Sequence, residues 1–277
     1  MMKMRKILAV IMVLLCVGSS ASAGEAELAE LLLQAHEGKL PMPVLSMLAP
    51  DLDVTAAYAV QKAYVEKRLL SDRIAGFKAG LTSEAGQRKF GVNEPVAGIL
   101  FASGKLTGTP ILDRSAFTLL MLEVEFGFVF KDTISAQIKD IAELQEKVAS
   151  VMPVIEIPDL AYTEMKQLKG VDIIASNVAA KQFLVGEAQD FRGQDINTVS
   201  VTLSRDGSEL NTAKGSDALG DQWEAALWLV NTIIEQEWTL EAGQLIITGA
   251  LGKMLPGKAG KYVADYGELG KIAFEVR

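Results

Sequence analysis

The chain is poor in cysteine and in basic residues. Its single cysteine, Cys16, lies close to the N-terminus. If the N-terminal residues are removed, the remainder has none, which excludes disulfides, thiolate metal sites and a cysteine nucleophile together. Acidic residues outnumber basic ones by 35 to 27, and no Lys/Arg block concentrates the positive charge. An acidic protein repels a phosphate backbone unless it segregates a basic face, so we expect no nucleic-acid partner.

The first residues have the pattern of a secretory signal. Three basic residues precede an apolar run at 7–17, and small residues follow up to Ala23. The run is too short for a stable membrane span, and its Ala-x-Ala end predicts cleavage after Ala23. We therefore expect 1–23 to be a signal peptide and the mature, periplasmic protein to carry a net charge of −11. A lipoprotein signal at Cys16 is the alternative, and the large Leu15 before it disfavours that processing.

The rest of the chain predicts a helical front followed by a β-rich region. Apolar residues recur at helical spacing in 24–39 and 53–70, and short apolar runs separated by Gly and Pro begin at residue 73. No repeat or long linker interrupts the chain. We expect a helical N-terminal segment, 24–72, that forms one structural unit with a β-rich catalytic domain, 73–277. Within that domain the patterns predict helices at 141–151 and 222–236 and a hairpin at 199–215.

Three glutamates lie inside apolar runs that are typical of buried strands. Glu123 and Glu125 are two apart within 120–130, and Glu156 lies within 152–159. Successive side chains of a strand alternate between faces, so Glu123 and Glu125 project together. Carboxylates from two strands predict a hard divalent cation, Mg²⁺ or Mn²⁺. The alternative is a half-exposed strand that shows glutamates to water, and the apolar neighbours of Glu156 favour the metal site.

Five segments occur together in an order that points to one family. These segments are GFKAGLTSEAGQRKFGVNEPVAG (76–98), LEVEFGFVF (122–130), PVIEIPD (153–159), DIIASNVAA (172–180) and LIITGALG (245–252). Together they cover nearly all of the chain after residue 23. They resemble the fumarylacetoacetate hydrolase superfamily, and most closely its 2-keto-4-pentenoate hydratase and 4-oxalocrotonate decarboxylase branch.

The resemblance implies a fold, a metal site and a lysine. The fold is of the α+β class, a mixed β-sheet roll with flanking helices, and Glu123, Glu125 and Glu156 hold the cation. Lys78 resembles the family's active-site lysine, which contacts a 2-oxo or 2-hydroxy acid and assists proton transfer. Without the family, the same pattern is typical of a solvated strand lysine. We expect a dication to lower the Lys78 pKa, and family analogy predicts a homo-oligomer.

Two further residues are candidates for substrate binding. Thr248 follows a strand end, where its hydroxyl and free backbone N–H groups could hold a carboxylate, although a plain turn is the alternative. Asn177 offers an amide to substrate or water, or it caps a turn. Two departures from the family bear on the proton relay. The family often has Asp-Asn where this chain has Ser176 and Asn177, and its hydratases often have an acidic residue at the position of Val96.

The predicted function is that of a metal-dependent lyase which hydrates a 2-hydroxy-2,4-dienoate to a 4-hydroxy-2-oxo acid. The cation stabilises an enolate, and Lys78 assists ketonisation. Decarboxylation of a 2-oxo-enedioate would use the same residues. Acylpyruvate C–C hydrolysis is a third possibility, but family hydrolases commonly use a histidine, and His36 lies in the N-terminal helix. A non-catalytic exported protein that binds metal and dicarboxylates is the fourth. Export is unexpected, because this chemistry usually belongs to cytoplasmic catabolism of aromatic ring-cleavage products.

Overall fold

A computed structural model of the protein describes residues 20–190 and 195–277. Within these residues the chain forms six α-helices and thirteen β-strands. The helices are α1 (Ser20–Glu37), α2 (Val54–Arg68), α3 (Glu84–Phe90), α4 (Ile141–Lys147), α5 (Gly170–Ala175) and α6 (Gln222–Glu235). The strands are β1 (Ile74–Gly80), β2 (Val96–Phe101), β3 (Lys105–Leu106), β4 (Ile111–Leu112), β5 (Met121–Phe130), β6 (Val148–Ile157), β7 (Gln182–Val185), β8 (Ser200–Arg205), β9 (Ser208–Lys214), β10 (Leu245–Ile247), β11 (Leu255–Pro256), β12 (Gly260–Asp265) and β13 (Lys271–Val276).

The N-terminal helices confirm the predicted helical front. The Asp53 side chain caps α2 by accepting the Ala56 N–H at 2.8 Å. Helix α1 packs against α2, and α2 packs against α5. Of the predicted signal peptide, residues 1–19 lie outside the described residues, so cleavage after Ala23 stays a prediction. The division between an N-terminal segment and a catalytic domain at residue 72 also stays a prediction.

The larger sheet combines parallel and antiparallel neighbours. Among the described residues it has eight strands in the order β2-β1-β10-β5-β6-β7-β3, and β11 pairs with the beginning of β5. The pairs β1–β10 and β3–β7 are parallel, whereas β10–β5 and β5–β6 are antiparallel. This mixed sheet, covered by helices, confirms the predicted α+β class and places β5 and β6 near the middle.

The smaller sheet contains the predicted hairpin. In the part of the chain that the structure describes, its five strands run in the order β4-β13-β12-β8-β9. Asp206 and Gly207 join β8 to β9 with φ values of 50° and 80°. Two successive left-handed residues match the right-handed twist of a tight hairpin, which explains the Asp-Gly pair.

Strand β6 begins earlier than the sequence pattern predicted. The predicted helix at 141–151 ends at Lys147, and Val148 already pairs with Phe130 of β5. Valine side chains suit a pleated surface, and Val151 is fully buried there. Pairing with β5 from Glu123 to Phe130 thus outweighs the helical spacing of the last predicted turn. Helix α6 agrees with its predicted range within one residue.

Candidate metal centre

The register of β5 and β6 brings the three predicted glutamates together. Glu123 lies directly opposite Glu156, and Glu125 lies two residues further along the same face of β5. One carboxylate oxygen of each residue lies within 4.8 Å of the others. These residues form the acidic cluster, and the structure therefore assembles the predicted set.

Two buried carboxylate oxygens in the acidic cluster have no hydrogen-bond partner among the residues that the structure describes. Glu125 and Glu156 are fully buried, and Glu123 is half-buried. Glu125 Oε2 accepts the Gly249 N–H at 2.7 Å, and Glu156 Oε1 accepts the Lys78 ammonium. Glu125 Oε1 and Glu156 Oε2 have no partner among the described residues. Unpaired buried carboxylates are costly, and a hard dication is the ligand that would satisfy them.

The pKa values of Glu123 and Glu125 are raised. Burial, followed by the charge of Glu156, raises the Glu123 pKa to about 8. Burial and the two neighbouring carboxylates raise the Glu125 pKa well above its ordinary value. In the metal-free protein, these shifts favour the protonated carboxyl groups. A bound cation would replace those protons and balance the charge of the carboxylates. Oxygen donors, excess negative charge and unpaired lone pairs together fit a divalent cation.

Lys78 reaches the acidic cluster from β1. Its side chain is only 3% exposed, which rules out the reading as a solvated strand lysine. The ammonium donates to Glu156 Oε1 and to the Val178 carbonyl at 2.9 Å. An ammonium has three N–H donors, so the third can serve a substrate oxygen. Burial alone would lower the Lys78 pKa, but the carboxylates of the acidic cluster outweigh burial and raise it. The lowering by a dication stays a prediction.

Thr248 uses its hydroxyl within the protein. The hydroxyl donates to Gln222 Oε1 of α6 at 2.5 Å, and the Phe126 carbonyl lies 3.3 Å away. The adjacent Gly249 N–H, which we expected to be free for a carboxylate, instead donates to Glu125. Gly249 has φ +102°, and a Cβ there would lie 2.4 Å from Thr82 Cγ2, so the position requires glycine. Substrate binding by Thr248 stays a prediction.

Asn177 likewise directs its side chain into the protein. Its Oδ1 accepts the Ile99 N–H at 2.7 Å, and its Nδ2 donates to the Ile99 carbonyl at 2.9 Å. The preceding Ser176 hydroxyl lies 2.7 Å from the Tyr162 hydroxyl and donates to the Asp172 carbonyl. The two Asn177 bonds tie the end of α5 to β2. The structure does not place the Asn177 amide within the acidic cluster, and its contact with substrate stays a prediction.

Other contacts around the acidic cluster were not predicted from the sequence. Tyr266 is fully buried, accepts the Glu125 N–H at 3.3 Å and donates to the Val154 carbonyl at 2.6 Å. Tyr266 directly follows β12, and its hydroxyl thereby links both acidic strands to the end of that strand. The Val178 carbonyl is a backbone atom, so no residue type could signal it. Val96, at the family's acidic position, is buried opposite Gly80, two pairs from Lys78 on the same face of the sheet.

Comparison with known proteins decides the family. The chain is 33% identical to the 2-keto-4-pentenoate hydratase of Paraburkholderia xenovorans (strain LB400) over 236 residues, which cover 84% of this chain and 87% of that relative. The chain belongs to the 2-keto-4-pentenoate hydratase family. The predicted superfamily, its hydratase and decarboxylase branch, and the class of enzyme are confirmed. The chain matches no family model.

Solved structures show that the family's fold is present here. The 4-oxalocrotonate decarboxylase from Pseudomonas putida G7, complexed with magnesium and adipate, superposes with a TM-score of 0.86 at 22% identity over 92% of this chain and 98% of that one. The fumarylpyruvate hydrolase from Pseudomonas aeruginosa, complexed with Mn²⁺ and pyruvate, gives a TM-score of 0.58 at 15% identity over 72% and 88%. The 2-keto-4-pentenoate hydratase family and these two enzymes therefore share one architecture.

Proposed function

We propose that the protein is a divalent-metal-dependent hydratase that adds water to a 2-hydroxy-2,4-dienoate and forms a 4-hydroxy-2-oxo acid. The observation that carries this proposal is the acidic cluster, in which two buried carboxylate oxygens have no hydrogen-bond partner within 20–190 and 195–277 and lie beside a buried lysine. Membership of the 2-keto-4-pentenoate hydratase family supports the substrate class.

Glu123, Glu125 and Glu156 would hold the cation. Three carboxylates beside one ammonium leave two negative charges in excess, which suits a dication. When bound, the cation supplies positive charge that stabilises an enolate oxygen of the substrate. Mg²⁺ or Mn²⁺ is the proposed ion, because both prefer oxygen ligands and the two similar solved structures are complexes of these metals.

Lys78 would transfer the proton. Its ammonium stays charged among the carboxylates, so it can donate to the substrate as the dienol becomes a ketone. Glu156 and the Val178 carbonyl fix two of its N–H groups and leave the third for the substrate. The Gly249 N–H orients Glu125, and Tyr266 braces the strand that carries it.

Decarboxylation of a 2-oxo-enedioate is the second candidate. It is favoured by the high structural similarity to a 4-oxalocrotonate decarboxylase, and it would use the same cluster and lysine. Acylpyruvate hydrolysis lacks comparable support. His36, the only histidine, lies in α1 beside Tyr64, with 6.3 Å between the ring centroids, and not in the acidic cluster.

The deciding experiment assays the purified protein with Mg²⁺ or Mn²⁺ on a 2-hydroxydienoate, an oxalocrotonate and an acylpyruvate. Loss of ultraviolet absorbance and identification of the product separate the three reactions. We expect hydration, and we expect Glu123→Ala to abolish the metal-dependent activity while the fold remains. Metal and dicarboxylate binding without turnover of any substrate would instead establish the non-catalytic binding protein.

Export and oligomerisation are further parts of the proposal. The basic residues, apolar run and small residues of 1–23 support cleavage after Ala23 and a periplasmic location. No helix in 20–190 or 195–277 has the length and hydropathy of a membrane span. N-terminal sequencing of protein from a periplasmic fraction tests the cleavage, with Gly24 as the expected first residue. Light scattering tests the predicted homo-oligomer.

A further inference from the structure

We infer that Asn177 and Val178 are positioning residues for Lys78, held in a left-handed turn that fixes the lysine ammonium beside the acidic cluster. This inference deepens the proposed function and rests on it, because it assumes that Lys78 transfers the proton. It also gives Asn177 a role that needs no contact with substrate.

The backbone of this turn is unusual. Asn177, Val178 and Ala179 have successive φ values of 62°, 54° and 54°. Left-handed conformations are uncommon outside glycine, and they are strained for a β-branched residue such as valine. Strained residues of this kind persist only where the surroundings impose them, and they cluster at functional sites.

Hydrogen bonds impose the conformation from both sides. The Asn177 side chain pairs with both backbone groups of Ile99 on β2. The Val178 N–H donates to the Ile173 carbonyl of α5 at 2.8 Å, and the Ala179 carbonyl accepts the Asp159 N–H at 3.1 Å. The turn is thereby fastened to β2, to α5 and to the segment that follows β6.

Two glycines next to Lys78 make room for the turn. Gly98 pairs with Lys78 across β1 and β2, and Gly80 lies two residues after Lys78 on the same face. A Cβ at Gly80 would lie 2.5 Å from Val178 Cγ1, and a Cβ at Gly98 would lie 3.0 Å from Val178 Cγ2. The valine side chain therefore fills the space that both glycines leave, and this seats its carbonyl 2.9 Å from Lys78 Nζ.

A neutral anchor for Lys78 has a specific value at this site. Glu156 is the lysine's other partner, and it is also one of the proposed metal ligands. The Val178 carbonyl is not one of the proposed metal ligands, so a bound cation would not compete with Lys78 for it. It can therefore hold the ammonium whether or not Glu156 is engaged with metal, which keeps the proton donor oriented for the substrate.

The first test compares two asparagines that make the same pair of bonds. Asn231 of α6 bonds both backbone groups of Ile138, at 2.8 and 2.9 Å, as Asn177 bonds those of Ile99. Alanine at either position removes the same pair of bonds, which are buried at Asn177 and partly buried at Asn231. We expect Asn177→Ala to lower kcat by about 10- to 100-fold with KM changed by less than about threefold. We expect Asn231→Ala to lower the melting temperature and to leave kcat unchanged.

The second test uses compensation and covers the case in which Asn177→Ala does not fold. Gly80→Ala should displace Val178 and lower kcat, and adding Val178→Ala should restore kcat, since it removes the opposing methyl groups. If the turn has only a structural role, the kcat losses caused by the two substitutions should add in the double variant. Equal kcat losses in both asparagine variants, no loss in Asn177→Ala, or no rescue in the double variant would overturn the inference.

Crystal structures of the two asparagine variants, without substrate, test the inference independently of turnover. We expect the Lys78 Nζ to leave the Val178 carbonyl in Asn177→Ala and to keep it in Asn231→Ala. An unmoved Lys78 in Asn177→Ala would overturn the positioning role even if the enzyme is active. If the wild-type protein turned over none of the substrates, the proposed function would fail, and the displacement of Lys78 would still decide whether the turn holds it.

Discussion

The two faces of β5 differ in how completely their side chains are satisfied. On one face, Phe126 and Phe128 are fully buried, and Phe128 meets Trp223 of α6 edge to face, with 5.0 Å between the ring centroids. On the other face, Glu125 is equally buried, but one of its oxygens has no hydrogen-bond partner in the part of the chain that the structure describes. Burial alone therefore does not distinguish the core from the proposed active site. Buried polar atoms without hydrogen-bond partners do distinguish them, because the core of a stable protein contains very few such atoms.

The apolar face of β5, which contains Phe126 and Phe128, should contribute mainly to the stability of the fold. Its disruption is the largest effect that we predict. Phe128→Ala should lower the free energy of unfolding by about 3–5 kcal/mol, because it removes a fully buried ring and leaves a cavity. Chemical denaturation measures the loss. The Mg²⁺ affinity of the remaining folded protein should stay within about threefold of wild type. A large loss of metal affinity would show that the two faces are not independent.

The acidic face of β5, which contains Glu123 and Glu125, should contribute mainly to enzymatic activity. Glu125→Gln keeps the side-chain volume and an acceptor for the Gly249 N–H, yet it removes a charge from the proposed metal site. We expect metal-dependent activity to fall by more than about a hundredfold, since even the partners of metal ligands are worth 10–100-fold. The metal-free variant should melt at the same or a higher temperature, because the substitution removes a buried carboxyl group whose ionisation is costly. Glu146→Gln, on the exposed side of α4, is the control and should change neither quantity.

We expect a rise in pH to lower the stability of the metal-free protein and bound metal to raise it, both through the glutamates of the acidic cluster. The Glu123 pKa is raised from 4.5 to about 8 in the folded, metal-free protein, so folding favours its protonated form. The resulting stability is fully present below about 4.5 and is lost as pH rises toward about 8. We therefore expect the melting temperature of the metal-free protein to fall across this window.

Mg²⁺ should remove most of that fall, because binding requires deprotonated carboxylates. At a hundred times its dissociation constant, Mg²⁺ should add about 2.7 kcal/mol to stability. Calorimetry with and without chelator measures both effects. A melting temperature that stays flat or rises with pH in the metal-free protein would contradict the charge balance of the acidic cluster.

Substitution of Thr248 should have the smallest effect on stability and on KM, and it tests whether this residue belongs to the core or to the substrate site. Its hydroxyl bonds Gln222, so Thr248→Val should cost about 1 kcal/mol of stability and leave KM within about twofold. Kinetics and denaturation of the same preparation test both statements. A KM raised tenfold at unchanged stability would instead restore Thr248 to the substrate-binding role that its sequence position suggested.

The sequence predicted the acidic cluster because strand periodicity and residue type were sufficient for it. Glu123 and Glu125 had to share a face, and the apolar neighbours of Glu156 indicated burial. Lys78 emerged from family resemblance alone, since its local pattern is typical of a solvated residue. The structure then supplied the burial that the pattern lacked.

Other features depended on contacts that no local pattern contains. The Val178 carbonyl and the Gly249 N–H are backbone groups, whose partners depend on φ values of 54° and 102°. Asn177 and Thr248 have side chains suited to substrate, but their neighbours Ile99 and Gln222 come from distant parts of the chain. The early start of β6 has the same cause, because its partner β5 outweighs local helical spacing.

The β5–β6 ladder keeps its irregularity away from the glutamates. Pairing is regular from Glu123 opposite Glu156 as far as Val129, and the register shifts only between Val129 and Phe130. A slip of one residue at the other end would turn each acidic side chain to the opposite face. The irregularity thus lies at the end of the ladder next to the connection that contains α4, so we expect a change in the length of that connection to disturb the pairing there before it reaches the carboxylates.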